Sequence, residues 1–182
     1  MKGIVKLVKN DLKFAQQIFE LTIDPGVKDP LGLKIEKVED TIEFIKFIVK
    51  EDNEGRVISR VILNENNEVI GHTVLKQIDR GDGICHIGTW IGVPYWGRGY
   101  NEASKIEILK IAFEVLKMDY VFAGAKISNT RSRRAQEKLP YMTFNVEKEF
   151  PNELAIIEKE TGVNCILNVV KKEDFENFIS KC

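Results

Sequence analysis

With 182 residues, 43% of them hydrophobic, the chain is long enough to bury one substantial core, and a single globular domain spanning residues 1–182 is expected. Its 27 Lys and Arg stand against 28 Asp and Glu, a formal charge of −1, so no global attraction to nucleic acid or an anionic membrane is implied and any anion site must be local. Three widely spaced cysteines, Cys85, Cys165 and Cys182, with no CxxC pair and only His72 and His86 as histidines, fit a reduced cytoplasmic protein without a structural metal.

Charges interrupt every apolar run of the N-terminal "MKGIVKLVKNDLKF", so neither a signal peptide nor a membrane anchor is expected there. Leu12, Ala15, Ile18 and Phe19 recur at helical spacing and predict a first helix over 10–22, capped by Asn10 or Asp11. Pro25, Gly26 and Pro30 in "DPGVKDP" predict a loop after it. Ile42, Ile45, Ile48 and Val49 then mark one side of a second helix over 38–50. Residues 56–63 are rich in β-branched side chains and lead through "NENNEV" into "VIGHTVLKQI", which reads as a hairpin. The turn "DRGDG" leads to a third extended run over 84–93, giving an antiparallel meander.

A helix follows, with Ile106, Leu109, Phe113 and Leu116 as its apolar stripe and Glu107, Lys110, Glu114 and Lys117 opposite. "YVFAGAKI" is a short buried strand, so the strand–helix–strand unit over 84–127 should pair its strands in parallel. Asn129 can cap a shorter helix that Pro140 stops. A strand near 142–150, a helix at 152–160, a strand at 164–170 and a closing helix from Lys172 complete the expectation.

Between the third extended run and its helix lies "VPYWGRGYNEAS", with glycines at 97 and 99. A helix start presents backbone N–H groups with no intrahelical partner and the positive end of the macrodipole, so phosphate is a natural guest. Glycines there permit a sharp turn and close approach, and Arg98 can add a charge-assisted contact. A purely structural turn is an equal reading of these residues alone. The Walker loop is excluded, because Gly97 is followed by Arg98 and Gly99 rather than by lysine and a hydroxyl; the dinucleotide fingerprint fails because its third glycine would fall at Glu102.

"HIGTWIGVPYWGRGYNEASK", followed downstream by "NTRSRRAQEKLPY", resembles the GNAT superfamily of acetyl-CoA-dependent N-acetyltransferases, in particular the branch typified by ribosomal-protein N-terminal acetyltransferases. The resemblance implies an α+β GNAT fold: a mixed, mostly antiparallel central sheet with helices on both faces and a splayed parallel strand pair that binds CoA. It implies acetyl-CoA as cosubstrate, no metal, an amine acceptor, and the homodimer frequent among relatives. Nucleic acid and membrane are not expected partners.

Carried over by position, the backbone amides of Gly97, Arg98, Gly99, Tyr100 and Asn101 would hold the CoA pyrophosphate, with Trp96 at the first position of the loop signature. Asn101 departs from the small residue of that signature. Ile91 and Val93 match positions whose backbone pairs with pantetheine, and Asn129 and Ser132 match residues facing the acetyl end. "RSRR" at 131–134 either meets the CoA 3′-phosphate or is a solvated helix face.

Acetyl transfer needs a neutral amine, a donor for the developing oxyanion and a proton for the departing thiolate. The branch often carries a glutamate base where this chain has His86, whose imidazole suits the same task; a strand histidine satisfied by backbone is the alternative. A tyrosine acid found in other members falls on Gln136, which cannot protonate a thiolate, so Ser132 is the hydroxyl left at a matching site, or else a helix-capping serine. The catalytic candidates are thus His86 and Ser132. Trp90, Trp96 and Cys85 read as packing residues, Tyr141 as core or pocket wall, and His72 as a surface or core residue of the second hairpin strand. A catalytically weak acyl-CoA-binding module is the alternative function, and a nucleic-acid binder acting through "RSRR" a third. Candidate acceptors include a protein N-terminus, a polyamine, an aminoglycoside or an amino-acid amine; acidic Glu36, Glu39, Asp40, Glu153 and Glu158 suit a cationic one or form a solvated acidic face.

Overall fold

Residues 3–182 are described by a computed structural model, and β1 (Val5–Lys9) opens the sheet. The sequence singles out no strand there. A 3₁₀ turn, Leu12–Phe14, capped by the Asp11 carboxylate on the Lys13 N–H, leads into α1 (Ala15–Thr22). Then come α2 (Pro25–Leu31), α3 (Val38–Asn53), β2 (Ile58–Asn64), β3 (Val69–Asp79), β4 (Ile84–Ile91) and α4 (Tyr100–Lys110). A π-helical stretch, Ile111–Val115, prolongs α4. The chain closes with β5 (Tyr120–Lys126), α5 (Thr130–Glu137), β6 (Met142–Thr143), α6 (Pro151–Thr161), β7 (Cys165–Lys171) and α7 (Lys172–Ile179). The strands hydrogen-bond in the order β1-β2-β3-β4-β5-β7-β6, the mixed sheet of the expected α+β GNAT fold. Among the described residues no helix is long and apolar enough to cross a membrane.

The chain divides into two compact units: residues up to Lys76 with Gly88–Lys110, and Gln77–Ile87 with Ile111–Cys182. In the first, β1 pairs antiparallel with β2, and β2 with β3, with a register shift between Ile62 and Leu63. Gly71 sits at the shift because a Cβ there would fall 2.2 Å from the Trp90 carbonyl oxygen. Val61 and Leu63 join Ala15, Ile18, Ile45 and Val69 in one core, and Ile62 joins Ile70, Ile91 and Tyr100 in another, as strand alternation requires.

Two expectations are corrected in this unit. The prolines of "DPGVKDP" do not make a loop. Asp24 Oδ1 accepts the Gly26 N–H at 2.7 Å, Pro25 occupies the first helical turn where its missing donor costs nothing, and Gly32 ends α2 in the left-handed conformation (φ 64°). The stripe of the helix after β4 is met only in part: Leu109 and Phe113 are buried as expected and Ile106 and Leu116 are half-buried, while Tyr100, Ser104, Lys105 and Ile108 are buried as well.

In the second unit β4 pairs in parallel with β5 through Ile84–Tyr120, Cys85–Val121 and His86–Phe122, while β5 pairs antiparallel with β7 along its whole length. Phe122, Val146, Ile157, Cys165, Leu167 and Val169 form the core on the face covered by α6. A Cβ on Gly124 would lie 2.3 Å from Ile157 Cδ1, so glycine lets α6 press on β5. The strand expected near 142–150 shrinks to Met142–Thr143. Asn145 takes a left-handed conformation (φ 58°) and donates its N–H to Asn168 Oδ1, and Val146 donates to the Leu167 carbonyl, so the chain curls over β7 instead of extending along it.

Candidate active site

In the first unit, β4 ends at Ile91 and the Gly92 N–H donates to the Ile70 carbonyl at 2.8 Å. A 3₁₀ turn, Val93–Tyr95, follows, and Trp96 folds back so that its indole N–H donates to the Ile91 carbonyl at 2.6 Å. Gly26, in the first turn of α2, presses on this loop: a Cβ there would lie 2.9 Å from both Trp96 Cη2 and Val93 Cγ2. Gly97 (φ 74°) and Gly99 (φ 79°) then turn the chain through conformations that only glycine adopts without strain. A Cβ on Gly97 would meet nothing within 4 Å, so the space before this residue is open. The Gly99 carbonyl accepts the Ala103 N–H, which makes Gly99 the start of α4.

Among the side chains around this turn, several are engaged with partners of their own. The Tyr100 hydroxyl, on a buried ring, donates to both Glu65 oxygens at 3.0 and 2.9 Å, and that bond to a carboxylate pushes its pKa up. Asn101 Oδ1 accepts from the buried Lys105 ammonium at 2.7 Å. Arg98 is exposed, its guanidinium 6.0 Å from the Tyr95 ring. Trp96 joins the core beside Tyr100, and Trp90 packs on the core of α1 and α3.

In the second unit His86 leaves β4 on the face covered by α6. Its Nε2 lies 2.6 Å from Glu153 Oε2, and its ring centroid 5.5 Å from that of Phe122. The His86 side chain is 3% exposed and that of Glu153 13%. Glu153 sits in the first turn of α6, 67 residues from His86, so no spacing in the sequence announces the pair. Neighbouring Cys85 is wholly buried, which pushes its thiol pKa up to about 12 and keeps it a neutral strand residue.

Asn129 caps α5, its Oδ1 accepting the Ser132 N–H at 3.1 Å. Gln136 Nε2 donates to Ser132 Oγ at 3.5 Å and to the Gly124 carbonyl at 3.4 Å. Gln136 Oε1 accepts from Asn168 Nδ2 at 2.7 Å. Strand alternation puts Asn168 on the face of β7 opposite Leu167 and Val169, so α5 lies across the sheet from α6. Ser132 and His86 therefore belong to helices and strands packed on opposite faces of this unit. In the basic cluster, Arg133 donates to the Ile127 carbonyl at 3.1 Å. His72 lies outside both groups, in the first unit, where it bonds to Ser59 Oγ at 2.8 Å and burial pulls its pKa down to about 4. Among the described residues no cluster of His, Cys, Asp and Glu can hold a metal ion.

A model of the acetyltransferase (GNAT) domain matches residues 6–141. The uncharacterized N-acetyltransferase p20 of Bacillus licheniformis is 23% identical over 148 residues, covering 79% of this chain and 82% of that protein. A GNAT-family acetyltransferase from Bacillus anthracis superposes with a TM-score of 0.71 at 21% identity, over 95% of this chain and 98% of that one. The spermidine N-acetyltransferase of Vibrio cholerae, solved with CoA and spermine, superposes with a TM-score of 0.71 at 13% identity, over 94% and 97%. With a parallel β4–β5 pair, a glycine turn opening the helix after β4, and a family model over most of its length, the chain belongs to the GNAT acetyltransferase family and is an acyltransferase.

Proposed function

We propose that the protein is an N-acetyltransferase that moves the acetyl group of acetyl-CoA to a primary amine by direct attack of the amine in a ternary complex. The observation that carries this is the turn at Gly97 and Gly99, two left-handed glycines with open space before Gly97, placed where β4 hands over to α4. In this reading the backbone amides from Gly97 to Asn101 hold the pyrophosphate, Arg98 adds charge, and Trp96 fixes the end of β4 through its bond to Ile91. The backbone of Ile91 and Val93 receives pantetheine, and Asn129 and Ser132 serve the acetyl end. Acetyl-CoA supplies an activated thioester; the chain's own residues orient the amine and handle its protons. His86 with Glu153 forms the acid–base pair, and the Ser132 hydroxyl, on the opposite face of the sheet, is a hydrogen-bond donor that steadies the departing sulfur while its proton comes from the amine. A cytoplasmic enzyme fits this reading.

Gln136 supports a second reading. It occupies the position of a tyrosine acid and is engaged with Asn168, which favours an acyl-CoA-binding module with weak turnover. Calorimetric titration with acetyl-CoA, beside Gly99→Glu, tests the shared requirement: the wild type binds and the variant, with a side chain and negative charge at the turn, does not. Release of free thiol with an amine panel then separates enzyme from binding module. If the wild type fails to bind, both readings fall.

A further inference from the structure

His86, on β4, ends 2.6 Å from a glutamate brought in by α6, 67 residues further along the chain. The carboxylate is the outer member of the pair: Glu153 is 13% exposed, His86 only 3%. Phe122 of β5 and Glu153 of α6 both lie against the His86 imidazole. Two other acids of the same unit are turned to backbone partners and not to His86: Glu158 accepts the Cys165 N–H and Glu147 the Leu167 N–H.

We propose that Glu153 is the catalytic carboxylate that meets the acceptor's ammonium group, that His86 is the positioning residue that holds it, and that the acceptor is accordingly a cationic amine. The inference rests on the N-acetyltransferase reading above and divides the labour within its acid–base pair.

The geometry favours this division over a histidine base. Facing a carboxylate, Nε2 donates one hydrogen bond, and a carboxylate has two oxygens with several acceptor positions. With Oε2 held by His86, Oε1 is left as an acceptor on the more exposed residue. A charge-assisted bond of this kind fixes a side chain that projects from the first turn of a surface helix and would otherwise sample several rotamers.

The protons and bonds balance as follows. An ammonium nitrogen has no lone pair, so one N–H proton passes to the Glu153 carboxylate, which becomes a carboxylic acid and later releases that proton to solvent. The freed nitrogen lone pair forms the new C–N bond to the acetyl carbon as the C–S bond breaks. The nitrogen, transiently positive, gives a second proton to the departing sulfur. The products are an N-acetylated amine, free thiol and one proton. The anionic carboxylate attracts the protonated amine before it deprotonates it, which is what a cationic acceptor requires.

The decisive comparison is Glu153→Gln against His86→Gln. Glutamine at 86 keeps an N–H donor near the position of Nε2 but has no titratable group, so it can hold Glu153 and cannot act as a base. Each variant is assayed for thiol release with spermidine, n-butylamine and a peptide with a free N-terminus, after acetyl-CoA binding is confirmed by calorimetry and folding by circular dichroism. Glu153→Gln is expected to lower kcat by about a hundredfold or more, the usual scale for a lost acid–base group, with acetyl-CoA affinity unchanged and with Glu153→Asp recovering part of the rate. His86→Gln is expected to lose much less. Because the chain has only two histidines, ¹⁵N-histidine spectra give a second readout that needs no turnover: an Nε2–H resonance of His86 that shifts in Glu153→Gln while His72 stays still.

An equal or greater loss in His86→Gln makes the histidine the base and overturns the proposal. So does an unchanged rate in Glu153→Gln, or acetyl-CoA binding with no turnover of any of the three amines, which leaves the binding-module reading. Absence of acetyl-CoA binding is the separate failure of the parent reading.

Discussion

The ammonium of Lys105 donates to Asn101 Oδ1 at 2.7 Å, one helical turn away, from a position buried on the core side of α4. Burial disfavours its charged form and pulls its pKa down from 10.5 to about 8. Because the folded pKa lies below the unfolded one, the unfolded chain binds more protons between those values. The penalty is full below pH 8 and disappears as the pH rises toward 10.5. Replacing Lys105 with Met is expected to stabilise the protein at pH 7 by on the order of 2 kcal/mol, a neutral side chain of similar length taking the buried site. Thermal unfolding at pH 7 and pH 10 checks this: the variant's advantage should shrink at the higher pH, and a constant difference would refute a titration origin.

Glycines 71 and 97 answer differently to the same added methyl group. At Gly97 the new Cβ meets nothing, so Gly97→Ala costs only the left-handed backbone, about 1–2 kcal/mol. At Gly71 the Cβ falls 2.2 Å from a backbone oxygen of β4, which can yield only if strands separate. Gly71→Ala is expected to cost more than Gly97→Ala, about 3 kcal/mol or above. Urea denaturation of both variants gives the ranking.

The Tyr100 hydroxyl serves Glu65, not the open side of the glycine turn. Tyr100→Phe should therefore lose about 1 kcal/mol of stability with no change in acetyl-CoA affinity, because residue 100 enters the proposed cradle through its backbone alone. Calorimetry on the variant decides: weaker binding would mean that the side chain, and not only the N–H, shapes the turn.

The helices legible in the sequence are those whose period is undisturbed. Thr41, Ile45 and Ile48 of α3 are buried as a helical repeat from its first turn, and α3 continues past the expected end to Asn53. The α4 stripe was less legible because the helix is buried beyond its apolar stripe, at the polar Ser104 and Lys105 as well as at Ile108 and Leu109, and a hydrophobic repeat does not mark polar positions. Prolines misled at α2, where Asp24 turns the same residues into a capped helix. The glycine turn could be read directly, since its requirement is local. Contact of His86 with Glu153 could not be read, because it depends on α6 settling over Gly124, a tertiary event with no echo in neighbouring positions. The Gln136–Asn168 bond is equally non-local: position 136 can be named from a motif, but its partner is supplied by another strand.

The register shift in β3 has a consequence for which layer its residues belong to. Ile62 faces Gly71 and Leu63 faces Val69 across the hairpin, so Ile70 is the extra residue. That single insertion resets the count: Val69 packs with α1 and α3, and His72, three positions on, also faces α3, edge-on to Phe44 and parallel to Trp90. In a regular strand residues three apart would point to opposite sides. Loss of one codon at Ile70 would thus leave every other pair of the hairpin in place, with His72 still opposite Val61 on the α3 side, and would remove only the bulge and the Ile70 side chain from the core of Ile62, Ile91 and Tyr100.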